Sequence, residues 1–160
     1  MKLLIIIPAR GGSKGIARKN LRILNNYPLI YYSIKLALKI SYDKEVYVTS
    51  DDDEILNISK LFGAKTHKRI SKKLSDDNTT LDPVIYDCFQ FVTKNNSSNF
   101  QYVITLQPTS PLLKKESLEK AILHTIKNNL ESCISVKKEN HLSWSITNKK
   151  PTPNFKNRLN

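Results

Sequence analysis

The sequence predicts an α/β protein, a mostly parallel sheet with helices on both faces, on three observations. Leu3-Leu4-Ile5-Ile6-Ile7 is an unbroken apolar run, the mark of a strand buried on both faces. Strand-like and helix-like patterns then alternate along the chain, as successive βαβ units require. Two unusual loops, residues 8–20 and 107–111, each follow a strand, and parallel sheets bind ligands beyond the carboxyl ends of their strands.

The first strand is Leu3 to Ile7. Pro28 stands at a first helical position, followed by Leu29, Tyr32, Leu36 and Ile40 at helical spacing. Glu45 to Thr49 reads as the second strand. Ser50 or Asp51 is placed to cap a helix through Ile55, Ile58, Leu61 and Phe62, which Gly63 stops. Ala64 to His67 is a short third strand, and Arg69 to Asn78 a polar loop. Val84, Ile85, Cys88 and Val92 mark one face of the next helix, and Asn95 to Asn99 is a turn cluster. Tyr102 to Leu106 reads as a buried strand. A helix through Leu118, Ala121, Ile122 and Ile126 follows, then a strand from Ser132 to Val136. Beyond it the pattern decays, and Lys149 to Pro153 reads as irregular. The 160 residues, 39% apolar, are expected to form a single domain.

The charge balance is 26 basic against 14 acidic residues, a net +12, which points to an anionic partner. The cations are spread along the chain, without an aromatic–basic stripe or a recognition helix. No nucleic-acid partner is therefore expected. The opening segment is too short for a signal-peptide core and lacks a small-residue cleavage site. No apolar run approaches the roughly 18–20 residues of a membrane span. A cytoplasmic protein with no membrane partner is expected. Cys88 and Cys133 lie in apolar surroundings without metal-ligand spacing and read as buried thiols. His67, His124 and His141 share no ligand spacing, and Trp144 reads as core.

Three of the four glycines, Gly11, Gly12 and Gly15, sit in the first loop among Arg10, Lys14, Arg18 and Lys19. Glycine permits positive φ and a close approach of backbone N–H groups, and the cations supply the charge an oligophosphate requires. The loop matches neither G-x-G-x-x-G nor G-x-x-x-x-G-K-[ST], which disfavours a nicotinamide enzyme and a P-loop ATPase. It reads as a nucleotide-phosphate cradle of another kind. Asp51-Asp52-Asp53 admits two readings, carboxylate ligands for Mg²⁺ or acidic residues at a helix start; the helix-start reading is preferred.

Ile6-Ile7-Pro8-Ala9-Arg10-Gly11-Gly12-Ser13-Lys14-Gly15, with Lys19-Asn20-Leu21 behind it, resembles the amino-terminal signature of the CMP-sialic acid synthetases, also called acylneuraminate cytidylyltransferases. Pro28-Leu29-Ile30, Val48-Thr49-Ser50-Asp51, Asp77-Asn78-Thr79-Thr80 and Leu106-Gln107-Pro108-Thr109-Ser110-Pro111-Leu112 follow in that family's order. The resemblance implies a three-layer α/β/α, Rossmann-like nucleotidyltransferase fold. It implies that CTP activates an acidic nine-carbon sugar, giving a CMP-sugar and pyrophosphate. Legionaminic or pseudaminic acid would serve as well as sialic acid.

By the same resemblance, Arg10 and Lys19 are the catalytic residues that stabilise departing pyrophosphate. Ala9, Arg10, Gly11, Gly12, Ser13, Lys14, Lys19, Asn20, Asp77 and Thr79 would hold the nucleotide. Gln107, Thr109 and Ser110 would face the sugar, and Arg18 would be merely solvated. Arg69 is either near the nucleotide or part of a solvated basic face with Lys68, Lys72 and Lys73. Two departures stand out. Where the family has arginine after Ser-Pro-Leu, this chain has Leu113 and Lys114. Family members also continue into a dimerisation element and an Asp-x-Asp pair that binds the metal. The chain is thus expected to be truncated at its C-terminal end, with Mg²⁺ and a homodimer expected of the family but no metal-ligand pair in these residues.

Overall fold

A computed structural model describes all residues except 14, 77, 96–98, 137–143, 148–149 and 154–160. Lys14, Asp77 and His141 fall outside the described residues, as does the side chain of Trp144. The chain divides into two compact units, Met1–His124 and Thr125–Asn160.

The first unit is built on β1 (Lys2–Pro8), whose residues 3–7 are all fully buried. It pairs in parallel with β4 (Asp43–Ser50) on one side and β6 (Tyr102–Thr105) on the other. β5 (Lys65–Lys68) extends the sheet in parallel beyond β4, giving the order β5-β4-β1-β6. Alternate residues of β1 face opposite sides, so five buried aliphatics in a row require cover on both faces. On the Leu4 and Ile6 side the cover comes from Cys88 and Val92 of α3 (Leu81–Asn95), with Tyr47 beside them. α1 (Leu29–Lys39) buries Ile30, Ser33, Ile34 and Ala37, spaced at i, i+3, i+4 and i+7, the stripe of a helix lying on a sheet.

α2 (Asp53–Leu61) shows how local chemistry sets a boundary. Asp52, not Ser50 or Asp51, is its N-cap: the Asp52 carboxylate accepts the Ile55 N–H, and Ser50 Oγ in turn accepts the Asp52 N–H. At the other end Gly63 takes φ +92°, its N–H reaches the Lys60 carbonyl, and the Ala64 N–H reaches that of Ser59. That is a Schellman stop, and it needs a residue free to enter the left-handed region. Pro28 likewise caps α1 from the position before its first helical residue.

Several expectations are corrected. β6 alternates half-buried and exposed residues, with Val103 42% exposed, because among the described residues it is an edge strand paired only to β1. Ser132–Val136 is not a strand among the described residues, and Ile134 and Val136 are more than four-fifths exposed. An apolar run becomes a strand only where a ladder partner is available. Cys133 is accordingly exposed, while Cys88 is buried, its thiol pushed up to about 12 by burial. A small hairpin, β2 (Ile23–Leu24) and β3 (Tyr27–Pro28), turns through Asn25 and Asn26, both at positive φ, as a two-residue primed turn requires.

α4 (Lys115–Lys127) begins in the first unit, where the Glu119 carboxylate accepts the Ser41 N–H at 2.7 Å. In the second unit β7 (Trp144–Thr147) and β8 (Lys150–Pro153) form an antiparallel hairpin where the sequence reads as irregular. Among the described residues no helix is long and apolar enough to cross a membrane.

Candidate active site

The chain runs from β1 out to β4 and β5, then crosses to β6 on the opposite side of β1. The loops after β1 and β6 therefore leave the carboxyl end of the sheet on either side of a crevice, the place where ligands bind in such folds. A cavity of about 450 Å³ lies there. Ala9, Arg10, Ser13, Gly15, Lys19 and Asn20 line it from the first loop, and Gln107, Pro108 and Thr109 from the loop after β6. Arg69, Leu74, Asp76, Thr79 and Thr80 close a third side, with Leu81 and Val84 of α3.

Most of the sequence-predicted residues are thus brought together. Gly11, Gly12 and Ser110 do not line the cavity. Leu74, Leu81 and Val84 form an apolar wall that sequence reasoning did not assign to the site. The only available signal, Val84 on an apolar helix face, is indistinguishable from a core position.

The first loop is held by side chains rather than by regular structure. Asn20, 5% exposed and placed by a 3₁₀ turn over Lys19–Leu21, donates its amide to the Arg10 carbonyl at 3.0 Å. Arg69 donates from Nη2 to the Ala9 carbonyl and from Nη1 to the Leu74 carbonyl, each at 2.7 Å. Its Nε–H has no partner among the described residues. The side chain is 3% exposed, which excludes the solvated basic face; Lys68, Lys72 and Lys73 are exposed. Burial draws its pKa down, opposed by the nearby Asp51 and Asp87 carboxylates, and an arginine so placed remains charged.

None of the three loop glycines adopts positive φ; among glycines only Gly63 does. Gly11 is required instead by crowding. A Cβ there would lie 2.6 Å from Asp52 Oδ2, on a carboxylate already fixed by capping α2 and by pairing with Arg18 at 3.1 Å. At Gly12 a Cβ would meet nothing within 4 Å. Gly11→Ala is expected to destabilise the protein by about 1–3 kcal/mol, the usual cost of overpacking. Gly12→Ala should change stability by no more than about 0.5 kcal/mol. Urea denaturation of the two variants checks the contrast.

The acidic turn is fully engaged. Asp51 accepts the Gly11 N–H, Asp52 caps α2, and Asp53 pairs with Lys68 at 2.8 Å. Arg18, expected to be solvated, is half exposed and bridges Asp52 and Glu54. Among the described residues no group of three or more His, Cys, Asp or Glu side chains gathers to hold a metal.

Beneath the site His67 is buried. Its Nδ1 lies 3.0 Å from Thr49 Oγ1, its Nε2 lies 3.7 Å from Asp87, and its ring lies against Phe91. Burial lowers its pKa, Asp87 opposes that shift and Arg69 adds to it. The folded state therefore binds the proton more weakly than the unfolded chain does. The resulting stability is present above the ordinary histidine pKa near 6.5 and is lost as pH falls through the lowered folded value. His67→Asn is expected to flatten that part of the melting-temperature profile below pH 6.5, measured against the unmodified protein by calorimetry.

A family model described as "Cytidylyltransferase" matches residues 4–154. The pseudaminic acid cytidylyltransferase of Campylobacter jejuni is 41% identical over 128 residues, covering 80% of this chain and 55% of that protein. The N-acylneuraminate cytidylyltransferase of Oncorhynchus mykiss is 31% identical over 144 residues, covering 90% of this chain and 32% of that protein. The chain thus spans about half the length of the first relative and a third of the second. A solved structure of CMP:2-keto-3-deoxy-manno-octonic acid synthetase complexed with CTP matches with a TM-score of 0.68 at 22% identity. It covers 81% of this chain and 49% of that one, a likeness of fold. With the match running from β1 past β8, over the loops that build the cavity, the chain belongs to the cytidylyltransferase family.

Proposed function

We propose that this protein transfers the cytidylyl group of CTP to a nonulosonic acid, a sialic-type nine-carbon sugar acid, with release of pyrophosphate. The observation that carries the reading is one cavity shared by a cationic loop and an uncharged, proline-stiffened loop. Arg10, Ser13, Lys14 and Lys19 would hold the triphosphate. Ala9, Asn20, Arg69, Asp77 and Thr79 would line the cytidine side. Gln107, Thr109 and Ser110 would orient the sugar without adding charge.

The sugar's anomeric hydroxyl would attack the α-phosphorus in line as pyrophosphate leaves on the opposite side. The chemistry asked of the protein is positioning and neutralisation of charge that builds on phosphate oxygens. Arg10 and Lys19 are the groups proposed for the second task. Mg²⁺ belongs to the proposal as an ion that arrives with CTP, and no step is assigned to it. Action in the cytoplasm as a homodimer is part of the same reading, and light scattering tests the dimer.

The test is pyrophosphate release from CTP and Mg²⁺ with a panel of acids. Pseudaminic acid comes first because that relative is the more similar, 41% against 31%, followed by N-acetylneuraminic and legionaminic acids. No release with any of them overturns the enzymatic reading. A second reading is a nucleotide-binding protein without turnover. CTP binding by calorimetry without release would select it.

A further inference from the structure

We propose that Asp51 is a positioning residue for the cationic loop, acting through the backbone on either side of Arg10. The sheet register explains how it reaches there. Ser50 of β4 pairs with Lys68 of β5, so Asp51 and Arg69, the next residue on each strand, emerge side by side. Asp51 Oδ1 accepts the Gly11 N–H at 3.0 Å across 40 residues of sequence, and lies 3.6 Å from Arg69 Nη2. The same Nη2 donates to the Ala9 carbonyl at 2.7 Å.

Arg10 is thus held by the carbonyl before it and the amide after it, through one carboxylate–guanidinium pair. Its own carbonyl is held by Asn20. Backbone groups of three consecutive residues, Ala9, Arg10 and Gly11, are clamped by side chains from separate parts of the chain. This aims a loop with no regular structure, so that Arg10, Ser13 and Lys19 face one cavity. Asp51 is free for this task because Asp52 performs the capping of α2. A helix-start acid would otherwise account for it.

The Gly11 N–H is consequently satisfied by protein, and a phosphate seated in the loop would draw on other donors. This inference rests on the cavity being the CTP site. It concerns how the loop is set, not which residues touch the nucleotide.

The test compares Asp51→Ala with Asp51→Asn, since asparagine keeps an acceptor oxygen at the same position. Asp51→Ala is expected to weaken CTP binding about tenfold or more by calorimetry, the scale of losing a hydrogen bond to a charged group. Asp51→Asn should bind within about threefold of the unmodified protein, and the Gly11 amide proton should stay protected from exchange in it. Unchanged binding by Asp51→Ala overturns the proposal. Equal impairment of both variants also overturns it, because only the charge facing Arg69 would then matter.

Should Asp51→Ala not fold, Gly11 amide exchange in the unmodified protein and in Asp51→Asn decides. Protection well above that of Gly12 supports the clamp, and equal exchange sinks it. If the unmodified protein binds no CTP, the functional reading fails instead, while Gly11 protection still reads the clamp.

Discussion

Lys19→Ala is expected to lower pyrophosphate release about 10²- to 10³-fold while leaving the melting temperature nearly unchanged. If Lys19 plays the role proposed for it, the variant removes one preorganised charge from the place where negative charge develops, a loss of about 2.7–4 kcal/mol at the transition state. The unchanged stability follows from where Lys19 sits. It is half-buried at the start of a 3₁₀ turn and lines the cavity, and no hydrogen bond or ion pair of its ammonium is found among the described residues. Removing it breaks no side-chain hydrogen bond or ion pair found among the described residues. Arg10→Ala should cost as much turnover but also loosen the loop, since its guanidinium reaches the Ser75 carbonyl at 3.5 Å. The measurements are the same release assay and a thermal scan. A Lys19→Ala protein active within about threefold would remove Lys19 from the catalytic role, because that range corresponds to less than 1 kcal/mol.

Arg69→Ala is expected to destabilise the protein by about 2–4 kcal/mol, the cost of leaving two carbonyls without their charged donor. The Ala9 and Leu74 carbonyls lose their donor at once, and the Asp51 carboxylate loses a cation 3.6 Å away. Arg69→Lys should recover less than half of that loss. A single ammonium cannot serve two carbonyls in the fork geometry of a guanidinium. Because the side chain is 3% exposed, added salt should screen little of the effect. Urea denaturation of both variants provides the check. A solvated lysine-rich face would instead tolerate the change within about 0.5 kcal/mol.

Both predictions depend on a site whose residue types were readable in the sequence but whose division of labour was not. Arg69 stood between a nucleotide contact and a solvated cation. Its sequence neighbours Lys68, Lys72 and Lys73 favour the second, yet only Arg69 turns inward, because β5 ends there beside Asp51. Gly11 and Gly12 are chemically identical, and only the Asp52 carboxylate, 41 residues from Gly11, separates a position that tolerates no side chain from one facing open space. The Ser132–Val136 run shows the converse: an apolar pattern adequate for a strand stays irregular among the described residues without a neighbour to pair with.

The sequence by itself determined β1, β4, β5 and β6, the four helices and the two loops that line the cavity. These depend on periodicity, glycine and proline, whose effects act within a few residues. Only the tertiary structure decided that Asp51 and Arg69 grip the chain on either side of Arg10, that Asp52 dictates Gly11, and that Leu74, Leu81 and Val84 wall the cavity. Those contacts join residues tens of positions apart, through side chains that strand register sets next to one another.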